Sequence, residues 1–161
     1  MKAVRTQRIF AAITLTLSAA LPALASAQNG YFRMPSVAGD TVVFVSEGDL
    51  WRAPLGGGTA TRLTTHPDAE AFPALSPDRQ WLAFVGRYEG PAEVYVMPFT
   101  GGTPRRLTWD GSAQTRVQGW TPEGKILYST TRYTGKPGTR LFTLDPKSGE
   151  RKVLPLAEAA E

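Results

Sequence analysis

Every residue from Trp81 to Val85 is apolar, and the run stops at Gly86. A continuous apolar run of that length predicts a strand covered on both faces. The turn before it, Ser76-Pro77-Asp78-Arg79, suits type I geometry. Ser can bond backbone at the first position, and Pro presets φ at the second. Farther along, Glu93-Val94-Tyr95-Val96-Met97 alternates more and predicts the next strand. Gly101-Gly102 offers the positive φ angles of a hairpin. Arg105-Arg106-Leu107-Thr108 then alternates polar with apolar, as an outer strand does, and its charge discourages edge-to-edge pairing.

The pattern recurs. An earlier copy runs through Pro35–Ser46, Asp49–Pro54, Gly56-Gly57-Gly58 and Arg62-Leu63-Thr64. A weaker later copy runs through Val117–Ser129, Leu141–Asp145 and Lys152-Val153-Leu154, with Thr121-Pro122-Glu123-Gly124 as its turn. Leu63 and Leu107 stand 44 residues apart, Leu107 and Val153 46 apart. A period of about 40–45 residues is that of a four-stranded propeller blade. A β-sandwich also has short, regularly spaced strands, but its strands need not resemble one another at a fixed interval. The fold class expected is therefore all-β, a partial β-propeller of about three four-stranded blades, near 31–66, 67–111 and 112–156.

The first 27 residues read differently. Lys2, Arg5 and Arg8 precede an apolar stretch from Ile9 to Leu24, and Ala25-Ser26-Ala27 forms a small-x-small site. That is the pattern of a signal peptide, with cleavage near Ala27–Gln28 and a periplasmic or secreted product. The apolar stretch is short and holds Thr14, Thr16, Ser18 and Pro22, so no stable membrane anchor is expected after cleavage. Lys and Arg total 18 against 14 acids. Without Lys2, Arg5 and Arg8 the balance is 15 to 14, and nothing marks the basic face that nucleic acid requires. With no cysteine, residues 28–161 must hold together by burial and backbone pairing, as one incomplete propeller domain.

Candidate chemistry is sparse. His66 is the one histidine, in a loop between units, and no Gly-x-Ser-x-Gly elbow or His-Glu-x-x-His helix is present. One His without Cys leaves transition metals short of ligands, so no metal, cofactor or catalytic residue is expected. Gly56-Gly57-Gly58-Thr59 is followed by a strand-like segment, which makes it a hairpin and not a phosphate cradle. Ser76, Pro77, Asp78 and Thr121, Pro122, Glu123, Gly124 are read as structural turn residues, the acids bonding nearby backbone. Glu47, Asp49, Arg87, Glu89 and Glu93 flank the turn between second and third strands, where charge on one rim could meet peptide. Of the aromatics Trp51, Trp81, Trp109, Trp120 and Tyr133, Trp81 reads as core, and Trp109 and Tyr133 are the better rim candidates.

The unit resembles the repeat of TolB-type and tricorn-type propellers. Ser76-Pro77-Asp78, Trp81–Phe84, Glu93–Met97, Gly101-Gly102 and Arg105–Thr108 carry the likeness. Tyr31–Pro35, Gly39–Phe44 and Ser46–Trp51 resemble the opening of tricorn-type serine proteases, and the likeness covers residues 30 to 156. The resemblance implies a six-bladed propeller followed by a second propeller, a PDZ domain and a catalytic region, the propellers guiding or gating peptides. Its catalytic residues would lie beyond Glu161, and the chain would then be a fragment. Expected partners are peptide or protein segments, together with missing blades or a second copy of the chain. Two alternatives stay open: a TolB-like periplasmic binding module, and a propeller joined to a prolyl-oligopeptidase-type hydrolase.

Overall fold

The structure, a computed structural model, describes residues 31–134 and 138–156. The candidate export signal at 1–27 and the closing residues 157–161 lie outside the described residues.

Three antiparallel sheets follow one another along the chain. The first holds β1 (Arg33–Ala38), β2 (Thr41–Ser46), β3 (Asp49–Pro54) and β4 (Thr61–Arg62). The second holds β5 (Glu70–Leu75), β6 (Trp81–Gly86), β7 (Glu93–Pro98) and β8 (Arg105–Arg106). The third holds β9 (Thr115–Trp120), β10 (Ile126–Thr130), β11 (Arg140–Leu144) and β12 (Arg151–Val153). Within each sheet the spatial order equals the chain order, a simple meander. The sheets lean on one another through their first strands: β5 packs on β1, β2 and β3 on one side and on β9 on the other. That is a fan of three blades, as the repeat predicts.

The all-apolar run in β6 has its reason in this fan. Leu82 pairs with Met97 and Phe84 with Tyr95, and all four pack against Val43, Val45 and Leu50 of blade 1. Ala83 pairs with Val96 and Val85 with Val94, and these face Val117, Ile126, Tyr128 and Phe142 of blade 3. Successive side chains of a strand point to opposite faces, so a blade with a neighbour on each side needs apolar residues at every position. Leu82, Ala83 and Phe84 are wholly buried.

Each innermost strand carries one residue more than its partner. The extra residue falls between Arg33 and Ser36 in β1, between Ala71 and Ala74 in β5, and opposite Leu127 and Tyr128 in β9. Met34 and Phe72 sit there with φ of 50° and 51°, each followed by Pro, and Gly119 holds φ 153°. Such bulges raise local twist and spoil the free edge as a pairing template. The first two bulges touch: the Phe72 N–H points to the Met34 sulfur at 3.3 Å.

Candidate functional site

A meander puts alternate connections at opposite ends. Residues 47–48, 87–92, 131–134 and 138–139, which lie between second and third strands, share one end with the blade crossings at 63–69 and 107–114. Glu47, Arg87, Glu89, Trp109 and Tyr133 therefore lie on one rim. The turns of Ser76–Arg79 and Thr121–Gly124, and the hairpin at 55–60, lie at the other.

At that other end the turns are closed by their own side chains. Ser76 Oγ donates to Asp78 Oδ1 at 2.5 Å and accepts the Trp81 N–H at 2.9 Å, and Asp78 Oδ1 also accepts the Gln80 N–H. The Ser76 hydroxyl and the Gln80 amide together hold the Asp78 carboxyl below its usual range. In blade 3 the Gly124 N–H returns to the Thr121 carbonyl at 3.0 Å, and the Thr121 hydroxyl lowers Glu123. Pro77 and Pro122 occupy the second position of these turns.

The rim is built on ion pairs that repeat from blade 1 to blade 2, each with a buried acid. Asp49 opens β3 and meets Arg62 at the end of β4, whose Nε–H donates to the Thr64 carbonyl at 2.9 Å. The Thr64 hydroxyl accepts the Leu50 N–H at 2.9 Å. One blade on, Glu93 opens β7 and accepts Arg106 Nη2 at 3.1 Å, while Arg106 Nε–H donates to the Thr108 carbonyl at 2.7 Å. The Thr108 hydroxyl accepts the Val94 N–H at 2.9 Å. Glu93 also accepts the Thr108 hydroxyl and the N–H groups of Asp110 and Gly111.

Of the rim candidates, Asp49 and Glu93 are buried and paired with Arg62 and Arg106. Glu89 is exposed but bridged to Arg106 Nη1 at 2.5 Å. Glu47, at φ 54°, and Arg87 are exposed in their turns.

Trp109 and Tyr133 flank a cleft of about 410 Å³ between blades 2 and 3, lined also by Thr108, Asp110, Leu144 and Arg151. Trp109 is 71% exposed, with the Arg106 guanidinium 5.3 Å from its ring centre. The Tyr133 hydroxyl donates to Asp110 Oδ1 at 3.0 Å, and Arg151 donates to the same oxygen at 2.5 Å. Tyr128 donates to Asp110 Oδ2 at 3.3 Å, and burial pushes its hydroxyl pKa far up. Both aromatics thus stand on fixed cations, and a rigid aromatic on a fixed support loses little freedom on binding.

The corresponding cleft between blades 1 and 2, about 470 Å³, is lined by Leu63, Thr64, His66, Tyr88, Thr103 and Pro104, among others. The His66 ring lies tilted against Tyr88, centroids 4.0 Å apart, and its Nδ1 accepts the Asp68 N–H at 3.1 Å. That bond holds the ring in its loop. The other indoles are structural: Trp51 donates to the Ser46 carbonyl, Trp120 ties blade 3 to the Ala74 carbonyl of blade 2, and Trp81 packs against the core. Among the described residues no group of three His, Cys, Asp or Glu side chains could hold a metal ion.

Sequence reasoning missed Arg62, Arg106, Arg151, Glu70 and Asp110. A signal was present for two of them: Arg-Leu-Thr recurs at 62–64 and 106–108, and a recurring cation ahead of a recurring Thr marks a repeated pairing, not only an outer strand.

Residues 29–161 match the family described as the tricorn protease N-terminal beta propeller domain. The chain belongs to that family. It is 40% identical over 105 residues to "Tricorn protease homolog 1" of Streptomyces coelicolor, an overlap of 65% of this chain and 10% of the relative. It is 29% identical over 134 residues to "Tricorn protease homolog" of Saccharolobus solfataricus, 79% of this chain and 12% of that protein. The tricorn propeller seen here thus spans about a tenth of the length of these relatives. Among solved structures it is similar to a protein described as TolB of Agrobacterium tumefaciens. That likeness has a TM-score of 0.68 at 26% identity, over 80% of this chain and 47% of the other.

Proposed function

We propose that this tricorn-type propeller guides or gates peptide segments for a tricorn-like protease whose catalytic groups lie outside the described fan. The observation that carries the reading is the family match along the whole fan, beside relatives that are tricorn protease homologues. The rim supports it: Trp109 and Tyr133 offer apolar faces, Arg106 underlies the first and Arg151 and Asp110 fix the second, and exposed Glu47 and Arg87 add charge of both signs. Export through cleavage near Ala27–Gln28 belongs to the same proposal, and N-terminal sequencing of the mature protein tests it.

Titrating the full chain with a pool of fluorescent short peptides tests the guiding role. The expected result is weak binding, reduced several-fold by Trp109→Ala and by Tyr133→Ala. No binding by the unmodified chain contradicts it. The likeness to the TolB structure favours a second reading, a module that contacts folded protein partners. Under that reading the same chain ignores short peptides and retains a folded partner, again through Trp109.

A further inference from the structure

The two seams between blades are built alike but are not charged alike. In the seam of blades 2 and 3 the buried acids are Glu93 and Asp110, met by two guanidinium groups, Arg106 and Arg151. Both oxygens of Glu93 are saturated: Oε1 accepts Arg106 and the Gly111 N–H, Oε2 accepts the Thr108 hydroxyl and the Asp110 N–H.

In the seam of blades 1 and 2 the buried acids are Asp49 and Glu70, and one guanidinium, Arg62, bonds Asp49. Arg62 is 45% exposed, against 15% for Arg106. Asp49 Oδ1 has no hydrogen-bond partner although the side chain is 5% exposed. Two local differences produce this. Asp49 is one methylene shorter than its counterpart Glu93, and Pro67 stands where Gly111 stands in the other seam, so one donor N–H is missing. Glu70, the first residue of β5, occupies the place that neutral Thr115 holds at the start of β9. Glu70 accepts the Tyr88 hydroxyl at 2.6 Å and the Thr64 hydroxyl at 3.0 Å.

We propose that Glu70, set beside the buried Asp49, is a proton-binding site, and that taking up one proton there tightens the seam between blades 1 and 2. Two buried like charges beside one half-exposed cation cannot both ionise without cost. The Glu70 N–H donates to the Gly48 carbonyl at 2.8 Å, which sets its carboxyl beside the start of β3, and a proton there removes one of the two buried charges. Burial pushes the Glu70 carboxyl above its ordinary range, the Tyr88 and Thr64 hydroxyls oppose the rise, and the Asp49 charge adds to it. Arg62 in β4, Tyr88 after β6 and His66 in the blade crossing are the other titratable or charged groups around the pair. An imidazolium at His66 favours ionised Glu70 and so works against the proton.

The sign follows from linkage. An acid whose folded pKa is raised binds its proton more tightly folded than unfolded. The seam is thus tightest below the ordinary glutamate value of about 4.3, and it loosens as pH rises through the raised value. Carboxyl-carbon NMR of the full chain, labelled at glutamate, reads this directly. The expected Glu70 midpoint lies above the ordinary value and moves further up in His66→Asn. In thermal melts, acidification from neutral pH is expected to raise the Tm of the unmodified chain relative to Glu70→Gln. A Glu70 midpoint at or below the ordinary value overturns the proposal, as does a Glu70→Gln melt with unchanged pH dependence. Should the variant fail to fold, the NMR titration of the unmodified chain decides alone.

Discussion

Arg106 shows how much one side chain can hold at a blade seam. It pairs with Glu93 inside and Glu89 outside, caps the Thr108 carbonyl, and underlies the Trp109 indole. Replacing it leaves Glu93 buried with its charge uncompensated, and such a loss costs about 3–5 kcal/mol. Arg106→Met is expected to lower stability by that order in urea unfolding. Glu89→Gln, at a residue 66% exposed, is expected to change it by less than about 1 kcal/mol. The chain announces this residue through the repeated Arg-Leu-Thr, but not that its guanidinium turns inward. Period-2 reading takes a charged residue in an outer strand as solvent-facing, and only the acid that opens the preceding strand, 13 positions away, reverses that. The rim candidates divide for the same reason. Position along the chain places Asp49 and Glu89 on one rim, yet burial is decided by the neighbouring blade.

Turns and strands answer to simpler rules. Gly124 closes the blade 3 turn at φ 78°, while Arg79 closes the blade 2 turn at φ 58°. A side chain in that left-handed region costs roughly 1–2 kcal/mol relative to Gly. Gly124→Ala is therefore expected to destabilise by about 1 kcal/mol. Arg79→Gly is expected to be neutral or slightly stabilising, since its exposed pair with Asp40 is worth little. Calorimetric melts of the two variants should move in opposite directions or differ clearly in size. In β6, Phe84 fills the seam toward blade 1 and is wholly buried, so Phe84→Ala is expected to cost about 3–5 kcal/mol. The turns and the two-faced strand were legible because Ser-Pro-Asp, Thr-Pro-Glu-Gly and an unbroken apolar run each have one physical use. The bulges were not. Met34 and Phe72 have no intrinsic taste for positive φ, so their residue types do not mark where the extra residue falls.

At the scale of the whole molecule, blade 2 differs from its neighbours. Both its faces are covered, whereas among the described residues blades 1 and 3 each have a sheet on one face only. Val153 and Leu156 near the last blade, and Phe32 and Val37 beside the first, are more than half exposed. Apolar surface of this kind on a repeat stack calls for a neighbour. Further blades or a second copy fit the need, and light scattering of the full chain at micromolar concentration is expected to show dimers or larger species, against a monodisperse monomer.

Native-state amide hydrogen exchange tests the radial stack most directly. Protection follows how completely a strand is buried between cooperative neighbours. The account predicts the slowest exchange in β6 and β7, between the two seams, and faster exchange in β2, β3, β10 and β11. Equal protection across the three sheets, or a maximum in the first or third, would contradict it.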